Sequence, residues 1–378
     1  MLFSKKLFLI FAASVLLFLP VVAQQNGSIM HDGQTRSYIY YSPDQNTEPL
    51  PLLIAMHGYT QTASTIMNFS EFNQLADEQN FMVVYPQGIG NSWNVDFGGG
   101  SIADDVGFIN ALIDELSSNF PIDENRIYAT GFSNGGFMSY RLAYELPEKI
   151  AAIAPVAGTI SSLAFANWAA SNAKPILHIH GTSDFVVPYE GFGGTIEGVD
   201  TLLDFWVDFN GCSDSPVVKE LPDLVQEGST VTQYEWNQCD SAKPIKLLKV
   251  INGGHNWPGT SAGGIGIVNQ DISASQEVWN FVKSFSLNDW VSITENEINT
   301  ISIYPNPFKG DFIFIENLPE NAQSIAVYDA MGKLIQKKNV EKNIETFRLH
   351  LDEKSQGLFI VKIITDYNSM SYKVIKHQ

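Results

Sequence analysis

Short, continuous apolar runs alternate with stretches whose apolar residues recur every three or four positions through most of this chain. Tyr38 to Tyr41, the run PLLIAMHG, Phe81 to Tyr85, Arg126 to Thr130, Ile150 to Val156, Ile176 to His180 and Ile245 to Ile251 have the strand pattern. The run PLLIAMHG ends in glycine and Phe81 to Tyr85 is closed by Pro86, as suits buried strands that stop abruptly. Between them, Asp104 to Ser118 carries Val106, Ile109, Ile113 and Leu116 at helical spacing. Gly136 to Leu146 and Ser273 to Ser284 also read as helices. Strands that alternate with helices predict an α/β fold: a mostly parallel sheet with helices on both faces, over residues 24–286.

The pattern changes after residue 286. The segment SLNDWVSITENEINT, centred on residues 287–300, reads as a linker. Beyond it, ISIYPNPF, FIFIENL, SIAVYDA, KLIQKK, TFRLHL, LFIVKII and YKVIKH are short strands separated by turn residues. They predict a small all-β sandwich over 301–378. At the other end, Lys5 and Lys6 precede an apolar stretch from Leu7 to Leu19, and the small residues Val21 and Ala23 follow Pro20. That is the layout of an export leader, residues 1–23, cleaved after Ala23. No other stretch approaches the length of a spanning helix, so the mature protein is expected to be secreted, with no membrane span.

Charge sharpens the division. Residues 24–294 hold 10 Lys+Arg against 30 Asp+Glu, whereas residues 295–378 hold 10 against 11. The formal charge of −19 argues against nucleic acid as a partner, because an acidic surface repels phosphate backbones. Only two cysteines occur, Cys212 and Cys239. In an exported protein such a pair is expected to be bridged, contributing roughly 3–4 kcal/mol in the chain-entropy model.

The chemistry concentrates in Gly131-Phe132-Ser133-Asn134-Gly135-Gly136, between the strand RIYAT and the helix FMSYRLAYEL. A G-x-S-x-G sequence at a strand–turn–helix junction is a nucleophile elbow, with small residues making room for a sharp turn. Ser133 is the expected nucleophile. A hydroxyl needs a base, and in this architecture the partners follow in the order serine, acid, histidine. His31 and His57 precede Ser133, His350 and His377 lie in the tail, and His178 and His180 alternate within a strand as packed or hydrogen-bonded residues. His255, on a glycine-flanked loop after KLLKVI, remains as the base. Asp184, on the turn after ILHIH, is the expected acid. Asp200, Asp204 and Asp208 share a helical face, and Asp214, Asp223 and Asp240 lie in polar loops with no strand end before them. The oxyanion is expected to meet the backbone N–H groups of Asn134 and Tyr59, with His57 and Gly58 shaping the second turn. Asp104 and Asp105 read as first-turn carboxylates of a helix rather than metal ligands, and no Cys/His cluster offers a zinc site. No metal or other cofactor is expected.

Taken together, HGYTQ, DDVGF, GFSNGGFMSY, HGTSD and GGHNWPG occur in an order that resembles the extracellular polyhydroxybutyrate depolymerase, feruloyl esterase and acetylxylan esterase group of α/β-hydrolases. The resemblance spans about residues 27–286. It implies the α/β-hydrolase fold, Ser133, Asp184 and His255 as the triad, Tyr59 as an oxyanion donor, and the Cys212–Cys239 bridge. Where that group commonly has a cysteine after the early His-Gly, this chain has Tyr59. In the tail, YPNPF, AVYDAMGKLI, GLFIVKI and YKVIKH resemble the C-terminal sorting domain of type IX secretion substrates, which implies the type IX machinery as a partner. The expected function is a serine carboxylic-ester hydrolase acting on feruloyl or acetyl esters of plant polysaccharide. The alternatives are a polyhydroxyalkanoate or other polyester depolymerase, and a non-catalytic carbohydrate-binding protein on a hydrolase scaffold. Loops 89–103, 157–173 and 186–200 are expected to govern specificity.

Overall fold

The computed structural model describes residues 24–43, 48–96, 100–167, 170–261, 264–290, 301–318, 322–329, 333–340, 346–351, 357–365 and 369–376. The leader and its cleavage point, and most of the linker, lie outside the described residues. The chain divides into two compact units, Met1–Leu287 and Asn288–Gln378.

In chain order the first unit contains β1 (Gln24–His31), β2 (Gln34–Tyr41), β3 (Leu50–Met56), α1 (Ala63–Ser70), α2 (Phe72–Gln79) and β4 (Met82–Pro86). Then follow α3 (Asp105–Asn119), β5 (Ile122–Phe132), α4 (Asn134–Glu145), β6 (Ala152–Val156), α5 (Ser162–Asn167) and β7 (Ile176–Gly181). The unit closes with α6 (Val199–Phe209), β8 (Val217–Glu220), β9 (Thr230–Trp236), β10 (Ile245–Ile251) and α7 (Ala274–Val282). All ten strands join one sheet in the order β1-β2-β4-β3-β5-β6-β7-β10-β9-β8. The six central strands, β4 to β10 in that order, run parallel, and an antiparallel pair flanks each side.

Why the central strands read as unbroken apolar runs is visible in β3. Every residue of Leu50–Met56 is buried. Leu52, Ile54 and Met56 face one core, shared with Ile109 and Leu112 of α3, Leu142 of α4 and Trp206 of α6. Leu53 and Ala55 face the other, shared with Ile66 of α1, Leu75 of α2 and Trp279 of α7. Successive strand residues point to opposite faces, so a strand covered on both sides must be apolar at every position. The antiparallel margins are half exposed and carry polar residues, as in β1 and β8.

In the second unit, β11 (Ser302–Tyr304), β12 (Phe312–Glu316), β13 (Ala322–Asp329), β14 (Leu334–Asn339), β15 (Thr346–His350), β16 (Gly357–Thr365) and β17 (Ser369–Lys376) form two antiparallel sheets. Their orders are β11-β12-β15 and β14-β13-β16-β17. Ile313, Ile315 and Leu349 from one sheet share a core with Ile325, Val361 and Ile363 from the other.

Candidate active site

The site residues come from loops at the carboxyl ends of β3, β5, β7 and β10. Ser133 sits between β5 and α4 with φ 54° and ψ −118°, a strained conformation for a residue with a side chain. Two glycines permit it. A Cβ on Gly131 would lie 2.4 Å from the carbonyl oxygen of Gly135, and one on Gly135 would lie 2.2 Å from that of Met56. The serine is held from behind by its own N–H, which donates to the Val156 carbonyl at 2.9 Å.

Asp184 and His255 meet directly, with His255 Nδ1 2.6 Å from Asp184 Oδ2. The two loops that carry them are cross-bonded. Ser183 N–H donates to the Gly253 carbonyl at 2.9 Å, and Asn252 N–H to Thr182 Oγ1 at 2.8 Å. The other carboxylate oxygen, Oδ1, accepts from the Val186 and Val187 amides at 2.9 and 2.8 Å. Burial by itself would raise the Asp184 pKa. Hydrogen bonds from His180 and His255, and the charges those rings can carry, outweigh it and hold the carboxyl well below its usual range. Asp200, Asp204, Asp208, Asp214, Asp223 and Asp240 are all exposed. The His255 ring packs against Phe132, the neighbour of Ser133, with centroids 4.8 Å apart. Among the described residues neither Ser133 Oγ nor His255 Nε2 has a hydrogen-bond partner.

Ser133, Asn134 and Tyr59 line one cavity of about 330 Å³, together with Ser92, Val95, Gly100, Phe137, Val186, Val187 and Ile196. Among the described residues the backbone N–H groups of Tyr59 and Asn134 have no acceptor, which leaves both donors available. Of the three loops expected to govern specificity, 89–103 and 186–200 supply cavity wall, and among the described residues 157–173 supplies none of it.

His57 is wholly buried and holds the Tyr59 loop in place. Its Nδ1–H donates to the Gly58 carbonyl at 2.8 Å, and its Nε2 accepts from Gly88 N–H at 3.0 Å. Burial lowers its pKa to about 4, against a smaller opposing effect of the Gly58 carbonyl. Trp93 Nε1 donates to the His57 carbonyl at 2.8 Å, while the Trp93 backbone bonds the Asn134 side chain at both ends. The turn after β3 and the turn after β5 are thereby fastened to each other.

Asp104 caps α3, accepting from Gly107 N–H at 2.9 Å, and its other oxygen lies 3.0 Å from His31 Nε2. Asp105 is wholly buried and pairs with buried Arg36 at 2.5 Å. Its second oxygen accepts from Asn94 N–H at 2.7 Å, which anchors the cavity loop. Arg36 lies on β2, 69 positions away, so nothing local in the sequence announces the pair. Cys212 and Cys239 form a disulfide. Among the described residues no helix is long and apolar enough to cross a membrane, and no group of three or more potential ligands could hold a metal ion.

A mostly parallel sheet with a strained serine at a strand–helix turn, and a hydrogen-bonded Asp184–His255 pair on later loops, is the arrangement of the α/β-hydrolase fold. Residues 100–199 match the phospholipase/carboxylesterase family, and residues 302–377 match the secretion system C-terminal sorting domain. The chain thus carries an α/β-hydrolase unit with a segment similar to the carboxylesterase family, followed by a segment similar to the sorting domain. A bifunctional acetylxylan esterase/xylanase, XynS20E of Neocallimastix patriciarum, is 30% identical over 264 residues, 70% of this chain and 35% of the relative. Feruloyl esterase B of Piromyces equi is 32% identical over 254 residues, 63% of this chain and 42% of the relative. The chain therefore spans less than half the length of these two relatives. Among solved structures, an acetyl xylan esterase from Aspergillus awamori shares the fold, with a TM-score of 0.52 and 16% identity over 68% of this chain and 99% of that one.

Proposed function

We propose that this chain is a secreted serine carboxylic-ester hydrolase that works through an acyl-enzyme, with Ser133 as nucleophile, His255 as base and Asp184 as acid. His255 Nε2 takes the Ser133 proton as Oγ attacks the ester carbonyl. The negative charge that develops on the carbonyl oxygen is met by the free N–H groups of Tyr59 and Asn134. Collapse breaks the ester bond, and His255 returns the proton to the departing alcohol. Water then repeats the sequence, giving its proton to His255 and releasing the acid from Ser133. Asp184 keeps the imidazole oriented and stabilises it while protonated.

The observation that carries this reading is the shared cavity. It holds Ser133 and two unpaired amides at one wall, and the Asp184–His255 pair lies on the adjoining loops. Its remaining wall is mostly apolar, with Val95, Phe137, Val186, Val187 and Ile196. The cavity, of about 330 Å³, lies at the lower end of the roughly 300–1,000 Å³ typical of ligand pockets. Feruloyl or acetyl esters of plant polysaccharide are the proposed substrates. The relatives named as feruloyl and acetylxylan esterases support both. The tail is read as directing export through the type IX machinery, following cleavage of the leader after Ala23.

The test sets the purified protein and its Ser133→Ala variant side by side on methyl ferulate, acetylated xylan and polyhydroxybutyrate. Ferulate or acetate release that disappears in the variant is the expected result. Faster attack on polyhydroxybutyrate would reassign the substrate to polyesters. Inertness on all three, with polysaccharide binding retained, would leave a carbohydrate-binding protein.

A further inference from the structure

Behind the acid lies a line of side chains that the hydrolytic steps do not use. His178 and His180 stand two apart on β7, so both rings project to the face covered by α4. They stack at 5.3 Å with planes 3° apart. Tyr140 Oη on α4 lies 2.8 Å from His178 Nδ1, and His178 Nε2 lies 3.1 Å from His180 Nδ1. His180 Nε2 is 2.8 Å from the Val187 carbonyl and 3.4 Å from Asp184 Oδ2. All three side chains are almost wholly buried, at 0%, 0% and 1% exposure.

With neutral rings only one arrangement of protons satisfies every contact. The Val187 carbonyl and the Asp184 carboxylate only accept, so His180 carries its proton on Nε2. Its Nδ1 then accepts, so His178 carries its proton on Nε2 as well. His178 Nδ1 accepts in turn, and Tyr140 donates. Burial, and then the nearby His180, push the His178 pKa well below its ordinary value, so that ring stays neutral. Burial also raises the Tyr140 pKa, keeping its donor proton.

We propose that Tyr140, His178 and His180 form a tautomer-fixing relay whose last N–H, on His180, donates to the Val187 carbonyl while facing Asp184 Oδ2 at 3.4 Å, and thereby tunes the basicity of His255. His180 is a positioning residue, and the proposal rests on the reading of Asp184 and His255 as acid and base. The argument is one of shared charge. Asp184 Oδ2 faces both His255 and His180, so each donor leaves less negative charge for the other. Withdrawing the His180 donor concentrates charge at His255 Nδ1, favours protonated His255 and raises its pKa. Less free base is then present at mildly acid pH. The other titratable groups nearby are paired outside the relay. Tyr189 meets the His180 ring edge-on at 5.9 Å and donates to Asp200 at 2.5 Å, while Lys249 Nζ lies 3.9 Å from Asp200.

Two measurements test this on the full chain. In ¹⁵N-histidine spectra at pH 8, His178 and His180 should both be protonated at Nε2 alone. Tyr140→Phe, which removes a single oxygen, should introduce a second tautomer at His178. In kinetics on a small soluble ester, His180→Leu should move the acid limb of kcat/KM up by about half a pH unit. Its kcat should fall while KM stays within twofold, and His180→Gln, which keeps an N–H donor, should restore the limb. A His180 proton on Nδ1 in the unmodified protein overturns the relay, even where His180→Leu fails to fold. An unmoved acid limb in a folded His180→Leu protein does the same and leaves the hydrolytic reading intact. Wild-type turnover by His255→Ala would instead break the hydrolytic reading.

Discussion

His57 and His255 occupy equivalent places, each just past the carboxyl end of a buried parallel strand, and are 0% and 6% exposed. Their hydrogen bonds differ. Both ring nitrogens of His57 are committed to the backbone, one to the Gly58 carbonyl and one to the Gly88 amide. Only one nitrogen of His255 is committed, to Asp184, and among the described residues the other has no partner. A buried imidazole with both nitrogens engaged is a fastening, because neither can move a proton without breaking a bond. One oriented on one side and open on the other is built to exchange a proton. Burial and position alone would not have separated the two.

The largest expected effect tests the open ring. His255→Ala should lower kcat by about a thousandfold or more, and Asp184→Asn by a comparable factor, with the double variant far from additive. Steady-state kinetics on methyl ferulate reads this, and near-normal turnover in Asp184→Asn would remove the acid from its role. Next comes a purely structural contrast. Reduction of Cys212–Cys239 should remove about 3–4 kcal/mol of stability, measured by denaturant titration, with kcat unchanged in the protein that remains folded.

The engaged ring makes a pH prediction. Its folded pKa of about 4 lies below the unfolded value of about 6.5, so the unfolded state binds the extra proton between those values. Stability should therefore be complete above pH 6.5 and fall by up to about 3 kcal/mol as pH drops through 4. His57→Gln should flatten that dependence by one proton while retaining measurable activity. An unchanged pH slope would show that His57 is not held neutral. The smallest effect is expected from the tail. A chain ending at Leu287 should keep kcat on soluble esters within about twofold, because the proposed catalytic groups all precede it. Loss of activity on insoluble substrate alone would make the tail a binding module.

Much of this arrangement was legible in the sequence, for identifiable reasons. Ser133 stood out because the elbow is local: its glycines, its strand and its helix are contiguous. His255 and Asp184 followed from chain order and strand ends. The six central strands were readable because burial on both faces removes polar residues from them. Helices α1 and α2 were missed because each is only eight residues long and interrupted by polar residues on its exposed side. Strand β1 was missed because its alternation is mostly polar and half exposed. The alternation of His178 and His180 hinted at a shared face, and their hydrogen bonding was an open reading. Their partners lie 38 positions back on α4 and beyond the strand end at Val187, distances that no local pattern encodes. The Arg36–Asp105 pair was out of reach for the same reason.

Val186 and Val187 combine two duties in separable parts of the same residues. Their amides anchor Asp184, and the residues themselves form part of the cavity wall. This lets the cavity wall change at these positions without touching the backbone donors. Exchanging valine for alanine, isoleucine or phenylalanine resizes the chamber, yet every such residue brings the same N–H to the acid. Proline alone is barred, since it would delete a donor. The shape of the cavity and the support of the carboxylate are therefore separable at Val186 and Val187. Val186, 42% exposed, takes such exchanges more readily than Val187, which is buried in the core at 5%.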